Sequence, residues 1–451
     1  MRGNLGYSSA RFHYSIAAFA FMQRRLLSFM SLHGGKHMTF TAKRRPAARA
    51  CLHFTIAIAG LVASGAFAPL AAYEVPQERS ATTFLGALVV GSNYRVAPTV
   101  RSDGNMRIFI FNTKYGRFQV DGVDLAKVFI HELKALDALE KISQSETFLN
   151  SLGKSAVAPI RYGANLITNP ADTVSKSLSG VANMFDRAGQ SLSDPDADRA
   201  STTDSLLGID DERRELAIDL GVDPYTNFPP LAQKLTDVAS AAAAGGLSVK
   251  AALAVVPGGA AVLAVSSIST VQSASDTLRS KTSAQIVEEV KTTLQQLGVS
   301  PSNINRLVHN RAYTPTDLLV TARALAKINA QNTDIFISRA ADTNSRSVAF
   351  FQRRRAELML ARGAEINGVV EFVNVGGFAL SRNRTGNVVA LLPCDDIAWT
   401  AITARAVDAV TRDLPHDGSV VRRPVLATTG SVTPMAAGEF RKLGWEITYL
   451  K

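Results

Sequence analysis

Residues 94–139, YRVAPTVRSDGNMRIFIFNTKYGRFQVDGVDLAKVFIHELKALDAL, change their hydrophobic period part-way along, and that change decides the fold class. In the first half, 94–100 and 106–113 are rich in Val, Ile and Phe and flank Ser102-Asp103-Gly104-Asn105, a sequence suited to a hairpin turn. Residues 117–120 read as a third short strand after the turn Lys114-Tyr115-Gly116. From Asp121-Gly122 onward the apolar residues fall at Leu125, Phe129, Leu133, Leu136 and Leu139, the spacing of one helix face. A hairpin followed by an amphipathic helix predicts an α+β chain with that helix packed on the sheet.

Toward the C-terminus, 148–192 is rich in Gly, Ala and Ser and is broken by Pro159 and Pro170. It holds a faint echo between Gly163-Ala164-Asn165-Leu166-Ile167 and Gly180-Val181-Ala182-Asn183-Met184. The polar, acidic run 193–211 reads as the main linker. A helix over 210–220 stops at Gly221 and Asp223-Pro224, and the next begins at Leu231. Between 238 and 275 the only charge is Lys250, and the centre reads AALAVVPGGAAVLAV. We expect a hydrophobic helical hairpin there, opened by Ala239, bent at Pro257-Gly258-Gly259 and closed by Val265. Amphipathic helices follow at 283–297, 302–309, 316–328 and 346–362. Beyond Gly363, strands at 369–375, 378–381, 387–392, 425–427 and 446–450 interleave with helices at 397–412 and 434–443, which predicts a small α/β unit. The resulting division is a leader over 1–72, a hairpin-plus-helix unit over 73–150, a Gly/Ala/Ser-rich segment with linker over 151–209, a helical domain over 210–363 and the α/β unit over 364–451.

Upstream, 1–72 has the three-part form of a secretory signal. Lys43, Arg44, Arg45 and Arg49 make a basic region, and LHFTIAIAGLVASGAF at 52–67 makes an apolar one, shorter than the ~20 residues of a spanning helix. Leu70-Ala71-Ala72 supplies small residues for cleavage before Tyr73. Met38 is the expected start of translation, with 38–72 the signal peptide and 1–37 an over-extension. The leader also explains the basic pI. The chain has 49 Lys+Arg and 38 Asp+Glu, and nine of the basic residues but none of the acidic ones lie in 1–72. The body therefore has 40 basic against 38 acidic residues, a balance of +2, which removes the case for a nucleic-acid partner. Hydrophobic residues at 46% and charged residues at 19% describe a chain with a buried core. Cys51 leaves with the leader, so Cys394 stands alone, beside three histidines: His131, His309 and His416.

Each catalytic template breaks at a required position. His131-Glu132 opens like a zinc-protease helix, but Ala135 stands where the second His is needed, and His131 reads as a helix-surface residue. Asp194, Asp196 and Asp198 alternate as in a calcium loop, yet Arg199 replaces the turn Gly and Ser205 the bidentate Glu; a solvated linker is favoured, with weak calcium binding left open. Cys394-Asp395-Asp396 follows a strand, where α/β proteins place functional loops. A nucleophilic Cys394 needs His309 or His416 as a base, and a buried structural thiol is the better reading. In Thr428-Thr429-Gly430-Ser431-Val432-Thr433-Pro434 the helix-start amides suit an anion, but Thr433 as N-cap and Pro434 at the first helical position explain the pattern without one. No cofactor, metal or catalytic residue is assigned.

The run Leu220-Gly221-Val222-Asp223-Pro224-Tyr225-Thr226-Asn227, followed by Pro230-Leu231 and the Ala/Gly-rich hairpin, resembles a family of exported proteins of Gram-negative bacteria. Thr429-Gly430, Pro434 and Gly444-Trp445 are similar to the end of that family. The resemblance implies export but no activity, and it transfers no catalytic residue. The leading expectation is a non-catalytic periplasmic or secreted envelope protein with a protein or envelope partner on its helical middle. The alternatives are a membrane-active protein inserting Ala239 to Val265, and a hydrolase using Asp395 or Asp396 with His309.

Overall fold

The computed structural model describes residues 73–145, 148, 200–245, 269–414 and 423–450. The leader with Cys51, the echo at 163–184, the Asp194 to Asp198 run, residues 246–265 of the apolar hairpin and His416 all lie outside the described residues.

The N-terminal unit is a sheet with a long helix laid on it. It comprises β1 (Arg79–Ser80), a short helix α1 (Ala81–Leu85), β2 (Tyr94–Val96), β3 (Thr99–Ser102), β4 (Arg107–Thr113), β5 (Gly116–Asp121) and α2 (Val123–Gln144). The single strand expected over 94–100 is two strands, because Pro98 has no amide to give the ladder. Both pieces still pair antiparallel with β4, at Val96 opposite Phe111 and Arg101 opposite Ile108, so residues around Pro98 bulge between them. All five apolar positions read from α2 are buried, packed with Phe109 and Phe111 of β4.

The middle is helical: α3 (Ala200–Asp219), α4 (Pro229–Gly245), α5 (Ser269–Ser280), α6 (Ser283–Gln296), α7 (Pro301–Val308), α8 (Pro315–Ile328), α9 (Thr333–Ala341) and α10 (Arg346–Arg362). α3 begins at Ala200, inside the stretch read as linker, since no Pro or Gly interrupts 200–207. Leu216, Leu220, Leu231, Leu235, Val238 and Ala241 join the core of the N-terminal sheet, so the first apolar cluster extends past the expected unit boundary.

The C-terminal unit holds β6 (Glu371–Val375), β7 (Phe378–Arg382), β8 (Val388–Leu392), β9 (Asp396–Ile397), α11 (Ala401–Asp413), β10 (Val425–Thr428), β11 (Ser431–Val432), α12 (Pro434–Lys442) and β12 (Glu446–Tyr449). Its main sheet runs β12-β10-β8-β7-β6; the first three strands are parallel and β6, β7 and β8 are antiparallel neighbours. Alternate residues face opposite ways. Val389, Leu391, Val425 and Ala427 enter the core of the helical middle, while Val388, Ala390 and Leu426 pack with Trp399, Phe440 and Trp445. The helical middle and the α/β unit thus share one core. The class is α+β, as expected.

Candidate functional site

Polar groups converge at two places, one in the helical middle and one where the N-terminal sheet meets the C-terminal unit. The first is organised by the segment between α3 and α4. Gly221 turns the chain at φ +69°, and a Cβ there would lie 2.9 Å from His131 Nε2. His131 is buried, contrary to the surface position expected of it, because the opposite side of α2 is covered by this turn. Burial lowers its pKa, and the neutral ring donates from Nε2 to the Leu220 carbonyl at 3.1 Å. Its neighbour Glu132 accepts a hydrogen bond from the Thr226 hydroxyl, which in turn accepts from the Phe228 amide at 3.1 Å.

Asp223 ties the same turn to α8. One carboxylate oxygen accepts from the Tyr225 amide at 2.8 Å and the Thr316 hydroxyl at 2.5 Å; the other accepts from the Thr314 hydroxyl at 2.8 Å. Thr314 is also the N-cap of α8, in a capping box with Asp317. Asp317 has no exposed side-chain surface and faces two guanidiniums, Arg346 at 2.6 Å and Arg353 at 3.1 Å. Arg353 continues to Glu357 at 2.8 Å, Glu357 to Arg354 at 2.5 Å, and Arg354 to Asp124 of α2 at 3.0 Å. Phe350 lies beneath both Arg346 and Arg353, each 5.5 Å from its ring centre.

Burial alone would raise Asp317, but the Arg346 and Arg353 guanidiniums outweigh it and hold the carboxyl below the usual range. Glu132 goes the other way: burial pushes it up to about 7 against the pull of Thr226 and Arg346, with Asp223 and Asp317 adding to the rise. Both are carboxyls in one cluster, with opposite shifts.

The second convergence, the seam, is built on Cys394-Asp395-Asp396 after β8. The tip of the β3–β4 hairpin docks there through backbone bonds: the Asp395 and Asp396 amides donate to the Asn105 carbonyl, and the Ala398 amide donates to Gly104. Gly104 is required, since its φ is +100° and a Cβ would sit 2.6 Å from Thr400 Cγ2. The Asp395 carboxylate accepts from the Arg107 amide at 2.7 Å and from Val123, the first residue of α2, at 3.1 Å. Asp396 is ion-paired with Arg107, whose Nη2 donates to Oδ2 at 3.1 Å while Nε lies 2.9 Å from Oδ1 without the alignment of a hydrogen bond, and it accepts from Ser102 at 3.1 Å. Burial raises Asp395 to about 7 and Asp103 to about 6, over the opposing amide hydrogen bonds. It also lifts the Cys394 thiol well above its ordinary value, as inert structural thiols are.

Glu74 closes this seam from the far side. Its amide donates to the Trp399 carbonyl at 3.0 Å, and its carboxylate accepts from the Trp399 amide and the Thr433 hydroxyl. Thr433 caps α12 through the Ala436 amide at 3.1 Å, with Pro434 next, as the sequence predicts. The carboxylate beside that helix start is thus the chain's own.

The residues that the sequence offers as catalysts are not brought together. His309 is exposed at the end of α7 and bonds its own helix through the Asn305 carbonyl at 2.8 Å, while Asp395 and Asp396 are taken up by α2 and β4. Cys394 is buried among Trp399, Ile397 and Leu426. Among the described residues no group of three or more His, Cys, Asp or Glu is placed to hold a metal ion. Sequence reasoning passes over Glu74, Arg107, Thr226, Asp317, Arg346, Arg353 and Glu357. Only Thr314-Pro315-Thr316-Asp317 carries a local signal, that of a capped helix start. No family model matches the chain, and no curated protein or solved structure matches it either.

Proposed function

We propose that this is an exported, non-catalytic envelope protein, periplasmic or secreted, whose helical middle meets a protein or envelope partner. The observation that carries the reading is where the converging polar groups end. Asp223, Asp317, Arg353, Glu357, Asp396 and Arg107 hold one another or nearby backbone, and they join separate parts of the fold. A general base must reach a proton on a substrate, and a nucleophile must be ionised or activated at the surface. His131 commits its Nε2 proton to Leu220, and Cys394 is buried as the neutral thiol. The three-part leader and the near-neutral body support export. The test is turnover by the purified chain over a panel of ester, peptide, glycoside and phosphate substrates. No turnover is expected, and saturable hydrolysis lost with Asp395→Asn would establish the hydrolase reading instead.

A soluble role for the apolar run is favoured over membrane insertion. The described part of 239–265 is the end of α4, where Ala239, Ala241 and Ala242 are buried beside Leu235 and Val238. No helix among the described residues is long and apolar enough to cross a membrane. In liposome flotation the protein is expected in the dense fraction; flotation abolished by charged substitution within 239–265 would support insertion.

A further inference from the structure

The two ends of the C-terminal sheet are finished differently. At β6 the connection between α8 and α9 lies along the strand: the Gln331 amide donates to the Val370 carbonyl at 2.9 Å, and the Phe372 amide donates to the Gln331 carbonyl at 2.9 Å. At the other end β12 pairs in parallel with β10, from Glu446 opposite Val425 to Tyr449 opposite Thr428. The Glu446 and Leu450 amides donate to the Pro424 and Thr428 carbonyls, each at 2.9 Å, so the even-numbered residues turn their backbone groups to β10. Ile447 and Tyr449 turn theirs the other way, and among the described residues no strand or loop pairs with β12 on that side. Sheet edges are ordinarily blunted by charge, proline or a bulge. Ile447-Thr448-Tyr449 has none of these and consists of strong strand formers. Tyr449 is 51% exposed, and Leu443, at the turn into the strand, is 37% exposed.

We propose that β12 is a dimerisation strand, which pairs antiparallel with β12 of a second copy of this chain about a two-fold axis at Thr448 and makes one continuous sheet of the two. Three features of the strand select its own copy over a foreign peptide. The outward groups are placed symmetrically about Thr448. In that register Ile447 of each copy stands opposite Tyr449 of the other, and every outward amide meets an outward carbonyl. Ile447 and Tyr449 also share the side of the sheet that carries Leu426, Trp399 and Trp445. The pairing lays each exposed Tyr449 beside the half-buried Ile447 of the other copy, which covers apolar surface on both. The charge of the strand is confined to Glu446 at its start. Antiparallel pairing sets the two Glu446 side chains at opposite ends of the joint, where parallel pairing would set them side by side. Because Gln331 already occupies β6, each copy offers one open edge of this sheet, and the assembly closes at two copies instead of growing into a fibre. This surface lies on the C-terminal unit, apart from the helical middle, and the proposal does not depend on export.

The test is the molar mass of the purified full chain over a dilution series, read by sedimentation, with substitutions in β12. The wild-type chain is expected to pass from dimer to monomer on dilution. Tyr449→Pro removes the outward amide and the ring while the Leu450 bond to β10 stays, and proline is tolerated where an edge amide faces solvent. The dissociation constant is expected to rise about a hundredfold, with the melting temperature of the diluted monomer little changed. Thr448→Cys reads the register without depending on how Tyr449→Pro folds. It is made in a Cys51→Ser background, where the buried Cys394 is the remaining native thiol. Two Thr448→Cys chains meet on the axis and are expected to form a disulfide dimer on mild oxidation, whereas Glu446→Cys chains, set off from the axis, are not. A chain that is monomeric throughout the series overturns the proposal, even if a foreign strand peptide then adds to β12. So does a dimer whose dissociation Tyr449→Pro leaves unchanged, or one that crosslinks equally at the two positions.

Discussion

The two polar centres use the same residue types to opposite effect. In the helical middle Asp317 is wholly buried yet held below its ordinary pKa; at the seam Asp395 is less enclosed and pushed to about 7. The number of cations within reach decides the difference. Asp317 has Arg346 and Arg353 both in contact, the latter shared with Glu357, whereas Arg107 is committed to Asp396 and leaves Asp395 with amide donors. Desolvation is comparable in kind at both, and only a guanidinium in contact offsets it. A buried carboxylate cannot be assigned a charge from its burial; its partners must be counted.

The comparison can be broken most severely at Arg353. Arg353→Leu leaves Asp317 and Glu357 buried without the cation between them, and a loss of about 3–5 kcal/mol is expected in a urea melt. If the loss were no more than an exposed pair gives, the helical centre would not be the rigid member of the two. At the seam, Gly430→Ala places a Cβ 2.2 Å from the Cys394 carbonyl oxygen and 2.6 Å from the Asp395 carbonyl carbon. Backbone cannot swing aside, so a cost of about 1–3 kcal/mol is expected, with faster modification of Cys394 by a thiol reagent as its signature.

Glu132→Gln sharpens the contrast inside the helical centre. The Glu132 carboxyl is raised to about 7, so the wild-type loses stability as pH rises from the ordinary range through 7. Gln removes that loss and keeps an oxygen for Thr226, so the variant is expected to exceed wild-type by about 1–2 kcal/mol at pH 8 and to match it near pH 5. Asp317 has the opposite sign: its contribution is present above the ordinary range and is lost only as pH falls below it. The smallest effect is expected at Arg412→Ala, which removes an ion pair with Asp408 whose side chains are 72% and 58% exposed. A change under about 0.5 kcal/mol in the urea midpoint is the expected baseline for a pair in water.

The elements are legible where periodicity is local. The α2 face at Leu125, Phe129, Leu133, Leu136 and Leu139 is buried as read, α10 spans the expected 346–362, and the C-terminal strands fall within a residue or two. Short elements without a periodic stretch, such as α1 and α9, escape such a reading, as does the two-residue strand β9 at the start of the expected 397–412 helix. The sites are far less legible, for a physical reason. Thr226 and Glu132 are 94 positions apart, and Arg107 and Asp396 are 289 apart. No window of sequence holds both partners, and the pairing is created by packing. His131 shows the same limit: its helix is legible, but the turn that buries it lies 89 positions downstream. The run from Leu220 to Asn227, singled out for the resemblance it carries, is a junction where Asp223 bonds α8, Tyr225 the turn between α5 and α6, and Thr226 α2.

The bond between Glu74 and Thr433 spans 359 positions. Closing a flexible chain of that length on a single contact would cost on the order of 5 kcal/mol in lost freedom, more than one hydrogen bond returns. The contact is therefore a product of assembly, formed after the intervening helices and sheets have drawn the two places together. A chain delivered from its amino end, by ribosome or by pore, holds Glu74 in waiting through nearly the whole of its emergence. Completion is reported at one point, when the last strand-to-helix turn arrives and Glu74 fastens to it.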